Sequence, residues 1–518
     1  MPQRTRVFTF MAGAVIAACL LTYLPLPNLR GPAVIHFLAY FSIMSAAYMA
    51  VAFFIALKPG PRHQPPLQLV WFFAVLFRLI LLFTGPSLSD DVYRYIWDGH
   101  LLNRGVNPYA APVDAPALDA YAIPEREMVN HAWMASPYLP AAQLVFLAVT
   151  RLAPRNVLAF QITAALLDLA IGWLLMDLLR RLALPPGRVL LYLWNPLVLM
   201  EFSHGAHIDA WMVFLVVLAF WLLARAGTDD GKRGAWLNGS ALVLAAATLT
   251  KGIPLIFLPL FLRRWGIRRL ALYAIAVLVP LALFASGAGW GLSGPLDGAG
   301  VFGALRIYAR QWNFNSSLYH WLETALTGYK SAGAVPLEPA YQAGILLAKL
   351  ITGALMGGVL LAAALWTWKL AAKDPEGITG TGSNQNGKKA HHLDIKIPPP
   401  RPLGSATLSL LRLAALLAGA YLLLTPTLHP WYAIILLPWL PFLLPAEAEK
   451  TALGRFIWPW LYLSYALAFS YITYVDPAVF REYATVRQVE YLPFFLLLFW
   501  TVFSWLLTSL KQRPSCFS

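Results

Sequence analysis

The stretch AVIHFLAYFSIMSAAYMAVAFFIAL, residues 33–57, contains no aspartate, glutamate, lysine or arginine. A helix of about 20 apolar residues crosses the hydrocarbon of a bilayer, so this stretch predicts a transmembrane helix. Similar apolar runs recur along the whole chain. They lie at 7–27, 67–84, 157–179, 188–204, 207–225, 236–262, 268–287, 341–370, 406–425, 430–445, 455–474 and 490–510. The sequence therefore predicts an all-α fold, a polytopic transmembrane helical bundle of about 13 spans.

The composition agrees with a membrane protein. Of the 518 residues, 59% are hydrophobic and only 12% are charged, whereas a soluble domain has about 25% charged residues. The net charge is +15, which in a soluble protein would suggest nucleic-acid binding. Here the Lys and Arg residues lie in short segments between apolar runs, as expected of cytoplasmic loops that orient membrane spans. We therefore expect membrane lipids as surroundings, a multi-pass location in the plasma membrane, and no nucleic-acid partner.

The basic loops also predict an orientation. With the N-terminus inside, nearly every basic loop falls in the cytoplasm, and loops 85–137 and 288–340 lie outside, where we expect them to carry short interfacial helices. The run 139–150 is short, and we interpret it as dipping into the membrane, with a full span as the alternative. The run 236–262 must then leave and return as a broken hairpin, with Lys251 near its outer tip.

The same pattern divides the chain into three parts. Residues 1–372 are predicted to form an N-terminal transmembrane module that carries the chemistry. Residues 373–405 are rich in Gly, Pro, Asn and Lys, which predicts a disordered cytoplasmic linker. Residues 406–518 are predicted to form a C-terminal transmembrane module.

The first outer loop contains SDDVYRYIWDG at 89–99. Ser89 is a candidate cap for a helix in which Asp91 and Arg94 share one face, and Asp90 is within reach of Arg94. Two adjacent carboxylates repel each other, so one of them can be basic enough to accept a proton. The alternative is structural, because acidic residues in a first helical turn also complement the helix dipole.

A second polar segment, NPLVLMEFSHGAHID at 195–209, ends one predicted helix and begins the next. Its residues His204, His207 and Asp209 can bind a metal, hold a phosphate, or only satisfy the ends of two helices. For an isolated His-rich turn the structural explanation is favoured.

Further polar residues fall on the same predicted side of the membrane. A lysine at membrane depth, such as Lys251, needs an anionic partner. Arg306 and Arg310 lie in the outer loop 288–340, and His429 begins a span from outside. Carboxylates, cations and aromatic residues gathered on one face suit a phosphorylated lipid and a sugar.

Two charges are predicted inside spans. Arg78 and Asp168 lie within the runs 67–84 and 157–179. We expect them to pair with each other and join the two helices.

Together, these motifs resemble those of the GT-C superfamily of membrane glycosyltransferases, and most of all the bacterial polyprenyl-phosphate-mannose-dependent mannosyltransferases. The motifs that carry the resemblance are SDDVYRYIWDG (89–99), GVNPY (105–109), NPLV (195–198), HGAHID (204–209), TK (250–251), NFN (313–315) and HPWY (429–432). They extend over most of the chain. One departure is the ending Ala206-His207-Ile208-Asp209, where the family pattern leads us to expect an Asn. The missing Asn weakens the case for a sugar contact at that position.

The resemblance implies transfer of a hexose, with mannose expected, from a polyprenyl-phosphate donor to a lipid-linked or glycan acceptor on the outer face. It also implies an acidic residue of the first large outer loop as general base, which is Asp90 or Asp91 here. Helical spacing groups Asp91 with Arg94 and Asp98, so Asp91 is favoured. The candidates for binding the donor phosphate or sugar are Arg94, His204, His207, Asp209, Lys251, Arg306, Arg310 and His429. A monophosphate leaving group among several cations requires no metal, and no metal or cofactor is expected.

Two other functions remain as alternatives. A transporter or flippase for polysaccharides or lipid-linked sugars would explain the spans, the broken hairpin and the intramembrane charges. It would not explain why the polar motifs gather on one side. A glycan polymerase or ligase would also act on lipid-linked sugars.

Overall fold

The protein is almost wholly helical. The computed structural model describes residues 2–57, 64–293, 298–328, 339–373, 403–445, 452–476 and 481–511. Within these ranges there is no β-strand, and Phe314 and Thr427 form one isolated parallel bridge. The all-α prediction is therefore confirmed. Most of the predicted linker 373–405 lies outside the described residues.

The helices differ widely in length. The long α-helices are Pro2–Leu21, Ala33–Leu57, Val157–Arg181, Asp209–Arg225, Arg233–Thr250, Leu258–Ala288, Pro339–Lys373, Ser405–Leu424 and Ala484–Lys511. The shorter α-helices are Leu67–Leu81, Asp91–Asn103, Pro140–Leu152, Leu190–Leu193, Pro196–Val198, Gly303–Gln311, Leu318–Thr327 and Ile457–Ala466. A π-helix spans Leu199–His204, and the 3-10 helices of five or more residues are Pro116–Tyr121, Pro124–Met128, Ile253–Phe257, Pro430–Ile435, Leu437–Phe442, Ala452–Phe456 and Leu467–Tyr474.

Fewer of these helices are ordinary spans than the sequence predicts. Seven helices of the described chain are long and apolar enough to cross a membrane, or up to eight if a bent pair is counted as one. The predicted number of about 13 is not confirmed. Proline explains much of the difference, because it removes a backbone donor and blocks continuous helix. The predicted span 430–445, for example, forms two 3-10 helices, with Pro438 and Pro441 in the second.

The break predicted within residues 236–262 is present in the structure. The helix Arg233–Thr250 ends where Lys251 becomes extended. A second reversal follows at Gly266, whose φ of 64° is readily adopted only by glycine. Two hydrogen bonds connect this helix to the residues around and after Gly266: Ser240 with Trp265, and Thr248 with Tyr273. The residues of each pair are 25 positions apart. Because the separation is the same in both pairs, the helix after Gly266 runs parallel to Arg233–Thr250. The segment between the two helices therefore runs in the opposite direction.

The buried ion pair expected between Arg78 and Asp168 is confirmed. Arg78 Nη2 lies 2.7 Å from Asp168 Oδ2, and the two side chains are 2% and 0% exposed. Arg78 also donates to the carbonyls of Ala74 and Leu193. The pair therefore joins the helices Leu67–Leu81 and Val157–Arg181 in the middle of the bundle.

One hydrophobic core runs through the described chain. It contains Tyr48 and Trp194 from the first predicted module together with Trp439 and Phe494 from the second. The outer surfaces of the helices Tyr341–Lys369 and Ala484–Thr508 are largely apolar and exposed, as expected where a helix faces lipid.

The Arg78–Asp168 pair makes a prediction about stability. Asp168→Asn leaves a buried guanidinium without its counter-charge, and we expect it to lower the free energy of unfolding by about 3–5 kcal/mol. Thermal unfolding of the purified protein in detergent measures the effect. The double variant Arg78→Met/Asp168→Leu removes both charges and should recover most of the loss. Equal instability of the single and double variants would contradict this account.

Candidate active site

The site is built first on the start of the helix Asp91–Asn103. Ser89 Oγ accepts a hydrogen bond from the Asp91 amide at 3.3 Å. The residue at the N-cap is Asp90, however, so the serine lies one position before the cap that the sequence predicts. Asp90 points elsewhere and forms an ion pair with Arg30 at 2.9 Å. The predicted contact between Asp90 and Arg94 is therefore wrong, because Arg30, in the loop between the first two helices, is the cation that pairs with Asp90.

Asp91 faces a different environment from Asp90. Its side chain is 20% exposed, its Oδ1 accepts from Asn130 Nδ2 at 3.2 Å, and its Oδ2 lies 3.6 Å from His207 Nδ1. Burial is the largest single influence on the pKa of Asp91 and raises it. His207, Asn130 and Lys251 together lower it by more, so that pKa lies below its usual range. Asp91 is therefore an ionised carboxylate at neutral pH, and part of it is exposed to solvent.

Arg94 has a structural position. The sequence predicts it as a ligand of the donor phosphate, but its side chain is 1% exposed. Its guanidinium donates to the backbone carbonyls of Asn130, His131 and Met134 at 2.9–3.1 Å. Arg94 thus holds the loop from which Asn130 contacts Asp91.

His204 is likewise part of the scaffold. Its Nδ1 is hydrogen-bonded to Thr84 Oγ1 at 2.8 Å, and its Nε2 accepts from the Ser87 amide at 3.3 Å. Gln161 donates to the carbonyls of Thr84, Ser203 and His204. These contacts fasten the π-helix to the start of the loop 85–137, and the His204 ring is 1% exposed.

His207 is the centre of the site. It follows the π-helix, at a bend of 118° between Pro196–His204 and Asp209–Arg225. Its ring lies between two carboxylates: Nδ1 is 3.6 Å from Asp91, and Nε2 is 3.3 Å from Glu201. Glu201 accepts in turn from the Tyr471 hydroxyl at 2.8 Å. The row Tyr471–Glu201–His207–Asp91 fixes the orientation of the partly exposed Asp91 carboxylate.

Lys251 has the anionic partner that its depth requires. Its Nζ lies 2.9 Å from both carboxylate oxygens of Asp209 and 4.0 Å from the centre of the Tyr432 ring. The Tyr432 hydroxyl is hydrogen-bonded to that of Tyr308 at 2.8 Å. Lys251 remains 20% exposed, whereas Asp209 is 1% exposed. The lysine is thus a positioned cation with part of its surface available to a ligand.

Aromatic rings connect these groups in a stack. The ring of His207 lies 4.1 Å from that of Trp431, Trp431 lies 4.5 Å from His429, and His429 lies 4.7 Å from Phe314. The planes within the stack deviate by 25° or less. The stack has four rings, and His429 contacts the site as one of them.

The two predicted arginines of the loop 288–340 lie on a helix that reaches the site through another residue. Arg306 and Arg310 lie on the helix Gly303–Gln311, which reaches the site through Tyr308. Positions i and i+4 share a helix face, and Tyr308 falls on the opposite side. Arg310 is exposed, and Lys349 caps the end of this helix by donating to the carbonyls of residues 309 and 310.

Sequence reasoning missed several of the contributing residues. Glu201 had a usable signal, since an acidic residue inside an apolar run requires a partner. Trp431 lies in the HPWY motif, which marks its position without giving the ring a role. Tyr471 and Asn130 have no such signal, because their contacts come from long-range packing alone. Within the described part of the chain, no group of three or more His, Cys, Asp or Glu residues has the arrangement of a metal site.

The first half of the chain matches a known protein family. Residues 7–268 match the family described as alpha-(1->6)-mannopyranosyltransferase, N-terminal domain. Because the match covers half of the chain, the protein belongs to this family, and the predicted resemblance to GT-C mannosyltransferases is confirmed. Asp91, Glu201, His207 and Lys251 fall inside the matched region, and Trp431 falls outside it.

Three curated relatives are similar to parts of the chain. Alpha-(1->6)-mannopyranosyltransferase A of Mycobacterium tuberculosis is 32% identical over 232 residues, which are 41% of this chain and 42% of that protein. Alpha-(1->6)-mannopyranosyltransferase A of Corynebacterium glutamicum is 28% identical over 33% of each chain. Alpha-(1->6)-mannopyranosyltransferase B of the same organism is 26% identical over 30% of this chain and 27% of its own. Each match spans less than half the length of the relative.

The different surroundings of the two aspartates make a prediction. Asp91→Asn should lower sugar transfer by roughly 10²–10⁴-fold, the usual contribution of a general base, while the donor still binds. Asp90→Asn should cost far less, because Asp90 pairs with Arg30 near the surface. Initial rates and donor affinity of both purified variants in lipid test this difference. Near wild-type rates in both would move the base to Asp98 or Asp209.

Proposed function

We propose that the protein is a membrane glycosyltransferase that moves a mannosyl group from a polyprenyl-phosphate donor to a glycan or glycolipid acceptor. The observation that carries the proposal is the joint placement of an ionised, partly exposed carboxylate, Asp91, and a partly exposed cation, Lys251, at one end of the helical bundle. Family membership supports the choice of mannose and of the reaction class.

The proposed reaction is a direct displacement at the anomeric carbon. The acceptor oxygen forms a bond to that carbon as the bond from the carbon to the phosphate oxygen breaks. The electron pair leaves on the phosphate, and Asp91 takes the proton of the acceptor hydroxyl. That proton becomes acidic as its oxygen bonds to carbon, so a carboxylate of low pKa can accept it.

Lys251 is the proposed partner of the leaving group. A fixed cation stabilises the negative charge that develops on the phosphate in the transition state. An ammonium has three donors, of which two face Asp209, so one can reach a phosphate oxygen. Asp209 and the Tyr432 ring would hold the ammonium in place without neutralising its donor capacity.

Glu201 and His207 act through Asp91. The imidazole separates two carboxylates that would otherwise repel each other, and Trp431 keeps its ring in plane. This arrangement keeps Asp91 ionised and directed outward before the acceptor arrives.

The outer face of the plasma membrane is the proposed location of the site. On the helix Val157–Arg181, Gln161 contacts the site end through His204, and Arg181 lies at the opposite end. The 20 residues between them extend about 30 Å, the thickness of the hydrocarbon. The positive-inside rule puts the end with Arg180, Arg181 and Arg188 in the cytoplasm. The site end then faces outward.

An assay with the purified protein in lipid vesicles tests the reaction. We expect transfer from polyprenyl-phosphate [14C]mannose to a synthetic α-(1→6)-linked mannotrioside, and little transfer from GDP-mannose under the same conditions. Asp91→Asn serves as the inactive control. Movement of the lipid-linked sugar across the vesicle membrane without product formation would favour a flippase instead.

Cysteine labelling tests the orientation. In a chain with Cys19 and Cys516 changed to Ser, we place one cysteine at exposed Ala117 in the first outer loop or at exposed Lys232 between two helices. A membrane-impermeant maleimide should label Ala117→Cys in intact cells and Lys232→Cys only after the cells are opened. The reverse pattern would place the site in the cytoplasm.

A further inference from the structure

Three arginines gather at the end of the bundle opposite the candidate active site. Arg233 begins the helix that ends next to Lys251. That helix has 18 residues, so it is about 27 Å long. Arg264 and Arg268 lie on either side of the reversal at Gly266. These three residues form an arginine cluster far from the groups proposed to act on the donor.

The fold holds two members of the arginine cluster close together. Arg269 Nε donates to Asn238 Oδ1 at 3.1 Å, which fastens the reversal to the first turns of the helix that Arg233 begins. Arg233 is therefore close enough to Arg264 for the two positive charges to repel each other. Both side chains are half-buried, so water screens this repulsion only in part. An anion placed between them would remove it.

The acidic residues at this end of the bundle have other partners. Asp229 accepts from the indole of Trp236 at 3.3 Å, and Asp177 pairs with Arg181 at 2.6 Å. Among the residues that the structure describes, no carboxylate forms an ion pair or a hydrogen bond with the arginine cluster. A half-buried charge without a counter-charge is costly, so the protein itself leaves the cluster unneutralised.

The helix that follows Gly266 has an exposed apolar stripe beside the cluster. Ala271, Ile275 and Leu278 are exposed, and their spacing of four and three residues puts them on one face of the helix. Arg268 is exposed on the same face, three residues before Ala271. An apolar stripe that ends at an arginine has the same order of groups as a phospholipid, with acyl chains followed by a charged headgroup.

Tryptophan rings mark this end of the bundle as a membrane interface. The guanidinium carbon of Arg225 lies 5.3 and 5.2 Å from the ring centres of Trp221 and Trp236. That of Arg263 lies 5.7 Å from the ring centre of Trp368. Tryptophan is enriched at the level of the lipid headgroups, and basic residues are enriched just beyond it on the cytoplasmic side. The arginine cluster therefore lies at the depth of lipid phosphates.

We infer that the arginine cluster binds the headgroup phosphate of an anionic phospholipid, whose acyl chains lie along the apolar stripe. The inference does not depend on the proposed reaction, because the cluster lies at the other end of the bundle. Residues 374–402 of the same chain are a poorer source of the anion, since they include four basic and three acidic residues. A zwitterionic lipid is also poorer, because the cluster repels its positive group.

Native mass spectrometry of the full chain in neutral detergent tests the site with two added lipids. Dioleoyl phosphatidylglycerol should give saturable adducts, and dioleoyl phosphatidylcholine should give few. Arg233→Gln and Arg264→Gln should each weaken phosphatidylglycerol binding roughly fivefold, the usual effect of one arginine near an anionic lipid surface.

A matched control separates a site from general charge attraction. Arg6 is exposed near the start of the first helix, and the chain beyond the other end of that helix contacts the loop 85–137 through Leu29 and Ser87. Arg6→Gln therefore removes one positive charge from the same end of the bundle as the cluster, and it should leave phosphatidylglycerol binding unchanged. Equal weakening by Arg6→Gln, or no weakening by either cluster variant, overturns the inference.

Thermal unfolding gives a second test, in which lipid decides the sign of the effect. In neutral detergent without lipid, Arg264→Gln removes a half-buried charge that faces a like charge, so this variant should have a higher Tm than the wild type. Phosphatidylglycerol should raise the Tm of the wild type and raise that of the variant less. A lower Tm of the variant in both conditions gives Arg264 a structural role and overturns the inference. Stabilisation by ATP that equals that by phosphatidylglycerol, and that the same substitution removes, assigns the cluster to a soluble anion instead.

Discussion

The hydrocarbon of a bilayer offers no water to a charged or polar side chain, so every such group must find its partner within the protein. The bundle meets this requirement at two depths. In its middle, Arg78 and Asp168 neutralise each other and join two helices. At the site end, Asp209 holds Lys251, and Glu201 holds His207. The pairing of buried charges therefore both stabilises the bundle and positions the side chains of the site.

The difference between the two depths explains why only one of them is a candidate for chemistry. Arg78 and Asp168 are fully enclosed and pair with each other, and Arg78 also donates to backbone carbonyls, so no ligand can reach their charge. Lys251 and Asp91 are each paired on one side and 20% exposed on the other. A charge held in this way cannot reorient when a ligand arrives, which is the condition for electrostatic catalysis.

Much of the architecture could be predicted from the sequence, because apolar run length and loop charge are local properties. The helical class, the break at Lys251 and the partner for Arg78 follow from such properties. The number of spans could not be obtained in this way, because proline-rich runs such as 430–445 are apolar without being continuous helix. Hydropathy does not distinguish a continuous apolar helix from an apolar run that proline interrupts.

The site was only partly predictable for a related reason. The choice of Asp91 over Asp90 depended on helical spacing, and the structure gives the two carboxylates different partners, His207 and Arg30. Arg94 and His204, both predicted to bind the donor, form their hydrogen bonds with residues of neighbouring loops. Residue type alone cannot tell a cation that binds a ligand from one that binds backbone carbonyls.

The long separation between site residues has a consequence for how the chain is made. Tyr471 is 270 residues beyond Glu201 in sequence, and Ser464 is 269 residues beyond Asn195, to which it is hydrogen-bonded. A chain emerging from the ribosome inserts its early helices well before these partners exist. Until the last third is synthesised, Glu201 lacks its tyrosine and His207 lacks the Trp431 ring. The early helices must therefore enter the membrane as an incomplete bundle, and the candidate site is complete only when the late segments dock against it.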